Sequence, residues 1–288
     1  MPAPVPAPSR RTELAALVRL ALPIVAVELG QMAMGTVDSM MVGHVSATAL
    51  AATGLAWLYT YTTLVLAIGL LVGFESLLSQ AVGAGDDAAY ATALQRGLVL
   101  AALLVVPAAL LLVPTEPMLR LLGQPAEIIA PASRFVHITI AGLPPMLAYI
   151  VLRQALQARE RLAPVLLTIL LANGVNALGN WLLVFGHAGF PALGTDGSAW
   201  ASVAARWTML GAILLFARHD LAPHLARRMP GIADARALGR MVALGFPVGV
   251  QYLLEVGVFN VVALVMGTLA TTTFAAHQVA INLASLTF

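Results

Sequence analysis

Four carboxylate side chains lie within or at the edge of long apolar segments of this sequence: Glu28, Asp38, Glu75 and Glu255. An ionisable group in the middle of a bilayer costs about 2.5–3.5 kcal/mol on insertion scales, so each one requires a reason. Glu75 closes its segment just before the polar stretch GAGDD, where a carboxylate reaches water, and we interpret it as structural. The other three acids are candidates for function.

Asp38 shares one helical face with other polar residues of the first apolar segment. Glu28, Gln31, Gly35 and Asp38 follow one another at intervals of three or four residues, which aligns them on one side of an α-helix. Asp38 is either a proton or cation site or a hydrogen-bonded structural acid. For Glu28, which lies nearer the start of the segment, a structural role is favoured.

Two further polar sets lie in later apolar segments. Glu255 is near the middle of its segment, one turn after Gln251, and is either a coupling acid or a buried acid paired with Gln251 or with a neighbouring helix. Asn173, Asn176 and Asn180 share a helical face. Asparagines can hydrogen-bond between helices, so they serve either as packing contacts or, if they face Asp38, as part of a polar pocket.

The composition indicates a membrane protein. Of the 288 residues, 60% are hydrophobic and 10% are charged, whereas soluble domains carry about 25% charged residues. Apolar runs of about 20 residues alternate with short polar stretches, which is typical of spanning helices. We predict an all-α polytopic membrane protein in contact with the lipid bilayer.

Several classes of function lack their signatures here. The chain has no cysteine, which excludes disulfides and thiol chemistry. It has no phosphate-binding glycine motif and no constellation of nucleophile, base or metal ligands. We therefore expect neither an enzyme nor a resident cofactor, and no nucleic-acid partner.

The apolar runs predict eight spans and four regions. The spans cover residues 14–42, 51–80, 92–113, 127–152, 164–186, 198–217, 241–266 and 272 onward. The regions are a disordered tail at 1–13, a six-helix lobe at 14–217, a linker at 218–240 and the start of a second lobe at 241–288.

The arginines predict the orientation. Of the 15 basic residues, all arginines, 12 lie in the N-terminal region and the 2–3, 4–5 and 6–7 connections. Because cytoplasmic loops carry the excess of positive charge, we expect a cytoplasmic N-terminus, and we expect the protein in the inner membrane.

The beginning of the sequence recurs after an offset of 224 residues. Pro23 corresponds to Pro247 and Gly43 to Gly267, whereas Gln31 corresponds to Glu255. Parallel repeats are one known transporter design, and two such units would give about 450 residues. We therefore expect the sequence to be a fragment that ends within a second, repeat-related lobe.

The chain resembles the multidrug and toxic compound extrusion (MATE) transporters, in particular their NorM-like bacterial branch. The resemblance lies in five stretches in the family's order: LPIVAVELGQMAMGTVDSMMVGHVSATALAA, SQAVGAGDDAAYATALQRG, NALGNWLLVFG, LGFPVGVQYLLEVGVF and AAHQVAINLASLTF. The resemblance implies two six-helix lobes around a cleft and export of organic cations in exchange for H⁺ or Na⁺.

The resemblance also implies roles for individual residues. Asp38 would bind protons, Asn176 and Asn180 would surround it, and Glu255 would contribute to a cation site in the second lobe, as a candidate Na⁺ ligand. The partner acid of that site would come from a later helix. Gln31, Glu28, Asn173 and Gln251 are secondary candidates.

We therefore expect a monomeric antiporter of cationic drugs, with the coupling ion, H⁺ or Na⁺, left open. The alternative is an exporter or flippase of lipid-linked or metabolite substrates with the same architecture. That alternative predicts a more cationic interior, whereas the acids identified above predict an acidic one.

Overall fold

The computed structural model describes residues 10–285, and all regular secondary structure in that range is helical. The fold-class prediction is therefore confirmed. The first nine residues of the predicted tail 1–13 lie outside the described residues, and the first helix begins at Arg10. The helices are α1 (Arg10–Gly43), α2 (Ala47–Gly73), α3 (Glu75–Gly83), α4 (Asp87–Leu112), α5 (Thr115–Leu121), α6 (Ala126–Thr139), α7 (Leu143–Ala158), α8 (Leu162–Phe185), α9 (Thr195–Phe216), α10 (Arg218–Leu225), α11 (Ala235–Leu269) and α12 (Thr271–Ser285).

Six helical segments of the described range are long and apolar enough to cross a membrane. They correspond to predicted spans two to seven and comprise Ala47–Gly83, Asp87–Leu112, Ala126–Ala158, Leu162–Phe185, Thr195–Phe216 and Ala235–Met266. The first and eighth predicted spans correspond to α1 and α12, which are not among these six. Helix α12 has 15 residues in the described range.

Side-chain caps fix several helix ends. The Ser46 side chain accepts a hydrogen bond from the backbone N–H of Ala49 at the start of α2, and Asp86 caps α4 in the same way. Asp234 caps α11. Because of this cap, α11 begins inside the predicted linker 218–240, which also contains α10. A cap satisfies amide groups that have no partner within the helix.

The fourth predicted span is two helices rather than one. Helices α6 and α7 are separated by a 3-10 turn at Ile140–Gly142, and α7 has Pro144 and Pro145 in its first turn. Proline has no backbone N–H, so a helix running through this point would lose hydrogen bonds, whereas proline is well tolerated where a helix begins. The break exposes backbone carbonyl groups to side chains of a neighbouring helix.

Helices α1, α8 and α9 form one packed group, in which α8 contacts both of the others extensively. The Asn173 amide donates to the carbonyl oxygen of Gly30 over 2.8 Å and so links α8 to α1. At Gly30 an added Cβ would lie 2.3 Å from the Ile169 Cγ2 atom, so a larger residue would require Ile169 or the helices to shift. This group of helices positions the polar residues of the candidate site.

Helix α11 crosses α2 through two pairs of glycines. A Cβ added at Gly69 would lie 2.2 Å from the Gly249 Cα atom, and one added at Gly73 would lie 2.3 Å from the Gly245 Cα atom. Each helix therefore presents two glycines four residues apart, the arrangement that allows membrane helices to approach closely. This contact brings sequence positions separated by about 180 residues together without side chains between them.

We predict that Gly69→Ala destabilises the protein, because its methyl group meets backbone rather than a movable side chain. Overpacking of this kind costs about 1–3 kcal/mol or more. Gly211→Ala is the matched control, since nothing lies within 4 Å of a Cβ at that helical position. The control should be neutral or stabilising by up to about 1 kcal/mol. Thermal unfolding in detergent would measure both, and equal unfolding temperatures would contradict the predicted role of the crossing.

Candidate functional site

Asp38 is fully buried, with 0% of its surface exposed. Its Oδ1 atom accepts hydrogen bonds from the side-chain amides of Asn176, over 2.9 Å, and Asn180, over 2.7 Å. Its Oδ2 atom accepts one from the Ser202 hydroxyl over 2.7 Å. Three donors from two helices therefore converge on one carboxylate, which compensates part of the cost of burying its charge.

The two asparagines lie one turn apart on α8, so their side chains leave the helix in the same direction. Both are fully buried. The Asn180 Nδ2 atom also donates to the carbonyl oxygen of Asn176 over 2.9 Å, which holds its amide group in place. The amides therefore present their N–H groups to Asp38, as expected if this face of α8 turned towards that acid.

Arg206 is the cation of this cluster, and only 6% of its surface is exposed. It lies on α9 one turn after Ser202 and interacts electrostatically with Asp38. Its guanidinium Cζ atom lies 5.4 Å from the ring centroid of Trp57 on α2. One guanidinium nitrogen donates to the Thr139 carbonyl oxygen over 3.4 Å.

The break between α6 and α7 provides the room for Arg206. A Cβ added at Gly142 would lie 2.8 Å from the Arg206 Cδ atom, so a larger residue in the 3-10 turn would displace the arginine. Next to it, the Trp207 indole donates to the Ala141 carbonyl oxygen over 3.2 Å. In an unbroken helix that carbonyl would pair with the amide of residue 145, which is proline and has none.

Two amide oxygens beside the carboxylate, Asn176 Oδ1 and Asn180 Oδ1, are buried without a hydrogen-bond partner, as is Ser198 Oγ one turn before Ser202. Buried polar atoms are normally satisfied, so each exception needs an explanation. An unpaired amide oxygen beside a carboxylate can accept a hydrogen bond from a bound water. Within the described part of the chain, no group of three histidine, cysteine or acidic side chains could hold a metal ion.

Sequence reasoning missed Ser202 and Arg206. The signal was available, because Ser198, Ser202 and Arg206 follow one another at intervals of four residues on a single face of α9. The expectation of acids alone in the interior was also incomplete. Arg206 adds a buried cation, which the sequence places in an apolar segment but does not pair with any particular acid.

The secondary candidates Glu28, Gln31 and Asn173 do not contact Asp38. Glu28 is exposed and accepts hydrogen bonds from Arg153 over 2.7 Å and from Gln31 over 3.1 Å. Its structural interpretation agrees with this ion pair, which links α1 to α7. The Asn173 amide donates to the backbone of Gly30 and Ile169 and serves as a packing contact.

Glu255 and Gln251 are separate from the Asp38 cluster. Both side chains are exposed, and no hydrogen bond or ion pair joins them among the described residues. Glu255 instead lies within electrostatic range of Tyr61, together with Glu28 and Tyr252. Helices α1, α2 and α11 therefore bring two acids and two tyrosines into one neighbourhood.

A cavity of about 350 Å³ lies away from these acids, on the side that carries the arginine-rich connections. Its charged lining is already paired, with Arg159 bonded to Asp87 and Arg161 bonded to Asp220 over 3.2 Å. Ion pairs at an exposed surface are weak and common. The chemistry of the site is therefore carried by the Asp38 cluster rather than by the cavity.

Comparison with known proteins provides relatives over nearly the whole chain. The probable multidrug resistance protein NorM of Rhizobium meliloti is 34% identical over 281 residues, which are 96% of this chain and 60% of that protein. The protein of the same description from Pseudomonas putida is 36% identical over 285 residues, with the same coverage. The chain thus spans about 60% of the length of these curated relatives.

Solved structures share the fold at lower identity. The eukaryotic MATE transporter AtDTX14 superposes with a TM-score of 0.81 at 23% identity, over 91% of this chain and 58% of that one. A MOP superfamily transporter from Pyrococcus furiosus, described as having a binding pocket of reverse polarity, gives 0.70 at 21% identity, over 83% of this chain and 52% of that one.

The family model MatE matches residues 23–182. This range is more than half of the chain, and it includes Asp38, Asn176 and Asn180. By this match, the chain belongs to the MatE family of membrane transporters.

Proposed function

We propose that the protein is a secondary active antiporter that exports cationic drugs and other organic cations in exchange for H⁺ or Na⁺. The observation that carries the proposal is the fully buried carboxylate of Asp38, held by three donors in a transporter fold. A carboxylate inside the membrane-spanning region is a default site for a proton or cation. The multidrug resistance proteins that the chain resembles support export of drugs.

The proposed cycle is an exchange of charge. The coupling ion and the cationic substrate both favour the ionised acids, and their alternation shifts the protein between two arrangements of its lobes. In this scheme residues 14–217 form the first lobe, 218–240 link the lobes, and 241–288 begin the second. Asp38 takes the coupling ion with help from Asn176 and Asn180, and Glu255, the candidate Na⁺ ligand, serves the second lobe with a partner acid.

The transporter is proposed to work as a monomer in the inner membrane, with its N-terminus in the cytoplasm. The distribution of arginines supports this orientation. An exporter or flippase of lipid-linked or metabolite substrates is the second candidate. The buried Arg206 favours it, because that alternative predicts a more cationic interior, and a MOP superfamily relative of the same fold is described as having reverse pocket polarity.

Asp38→Asn and Glu255→Gln should each abolish export from the intact protein when equal amounts of folded protein are compared. Each amide keeps the shape of the acid but cannot be ionised. The coupling ion and the cationic substrate therefore lose the negative charge that both of them bind. Efflux of an ethidium-type dye from vesicles, driven by either a pH or a Na⁺ gradient, measures the effect. Glu116→Gln is the control, because Glu116 forms an exposed ion pair with Arg120. Retained efflux in both acid variants would contradict the site assignment.

Ser202→Ala should slow export by roughly tenfold or more, because a hydrogen bond to a charged group contributes about 1.5–3 kcal/mol. Ser198→Ala is the matched control on the same helix. Both serines are buried, but the Ser198 hydroxyl has no hydrogen-bond partner in the described structure. Initial rates of dye efflux at saturating gradient compare the two, and equal rates would remove Ser202 from the site.

The orientation can be tested with single cysteines, because the sequence contains none. Ala84 and Ala192 are both exposed and lie in connections on opposite sides of the predicted membrane. In intact cells from which the outer membrane has been removed, a membrane-impermeant maleimide should label Ala192→Cys and not Ala84→Cys. Labelling with the opposite pattern would reverse the proposed topology.

A further inference from the structure

Arg206 is a buried charge whose position does not depend on direct contact with an acid. Among the described residues no ion pair within 4 Å includes Arg206. Its guanidinium group is held instead by the face of Trp57 and the carbonyl oxygen of Thr139. An aromatic face and a carbonyl oxygen both attract a cation. These two contacts hold the guanidinium group without a direct ion pair to Asp38.

The other charged side chains that the structure describes on the surrounding helices have partners elsewhere, including Glu127 of α6, which accepts a hydrogen bond from Thr271. Arg134 of α6 pairs with Asp196 of α9 over 3.1 Å, and Glu28 of α1 pairs with Arg153 of α7. His137 of α6 contacts the Val113 carbonyl oxygen. Helix α8 has no ionisable side chain, and α2 has tyrosines only.

The balance of buried charge therefore rests on two residues. Among the side chains that the structure describes on these helices, Asp38 and Arg206 are the buried acid and the buried base. Ser202, which bonds Asp38, lies one turn before Arg206 on α9, and the two charges interact electrostatically. Separate burial of either charge would be costly, and removal of one partner leaves the other uncompensated.

We propose that Arg206 is the resident counter-cation of Asp38, and that the cluster consequently takes up a proton but not a second metal cation. With Asp38 ionised the pair is neutral, and one added proton gives the cluster a single positive charge. A sodium ion at the same place would face the guanidinium charge in a medium of low dielectric constant. It would also have to displace the N–H and O–H donors that already point at both carboxylate oxygens.

This inference selects H⁺ rather than Na⁺ as the ion that the Asp38 cluster binds. Its role in transport rests on the proposed antiport. Arg206 is a positioning residue, since it acts through Asp38. Its test measures thermal stability rather than transport, so the result can be interpreted even if the proposed export is not observed.

The test is a double-mutant cycle of thermal unfolding on the intact protein with Asp38→Asn, Arg206→Gln and the double variant. We expect Arg206→Gln to lower the Tm at neutral pH, and we expect the addition of Asp38→Asn to raise it again. The loss of Tm in Arg206→Gln should grow as the pH rises, because the uncompensated carboxylate is then ionised, and this dependence should be absent from the double variant. Arg206→Lys should retain most of the wild-type Tm.

Arg134→Gln is the matched control, since it removes an arginine whose partner is Asp196. Its change in Tm should simply add to that of Asp38→Asn, as for independent sites. Additive changes for Asp38→Asn and Arg206→Gln would overturn the proposal. If Arg206→Gln alone yields no folded protein, recovery of folded protein in the double variant supports the inference and its absence overturns it.

Sodium binding is tested in the same assay by replacing choline chloride with sodium chloride at constant ionic strength. Wild type and Asp38→Asn should respond equally, because Asp38 does not bind the added ion. A sodium-specific rise in the Tm of the wild type that Asp38→Asn loses would overturn the proposal. The comparison with Asp38→Asn separates this cluster from sodium bound near Glu255.

Discussion

A fully buried carboxylate is the constraint on which the rest of this structure depends. Asp38 on α1 cannot reach water, so its charge has to be compensated by donors from α8 and by Ser202 and Arg206 from α9. Burying such a charge alone would cost several kcal/mol or more. The three helices are therefore held in one register, because a shift of a single residue would turn the donors away from the acid.

The break between α6 and α7 belongs to the same network. The proline pair at 144–145 cannot donate to the preceding turn, and α9 supplies donors to two carbonyl oxygens there, Arg206 to Thr139 and Trp207 to Ala141. Gly142 leaves the space that the arginine occupies. The break between α6 and α7 thus provides the position of the Arg206 guanidinium group of α9, and this cation interacts with the buried Asp38.

The sequence was sufficient for the features that depend on local periodicity. Hydrophobic runs identified most of the helices, and the spacing of Asn176 and Asn180 placed both on one face of α8, which meets Asp38 in the structure. It was insufficient where partners come from distant positions. Ser202 and Arg206 repeat at a helical interval that was visible, but nothing local states that they face α1. Similarly, no pattern within the fourth span separates a proline inside a helix from one that begins a new helix.

The two acids of the proposed exchange are chemically unequal. Asp38 has no exposed surface and its oxygens are occupied by donors, so a small ion can bind there but an organic cation cannot touch it without rearrangement of the helices. Glu255 lies near Tyr61, which also has Tyr252 beside it, and aromatic rings attract large cations as well as apolar groups. Competition between a coupling ion and a drug therefore need not occur at one carboxylate. It can act through helix packing. Helix α2 contacts the Asp38 cluster through Trp57, and it packs against α11 through the two glycine pairs.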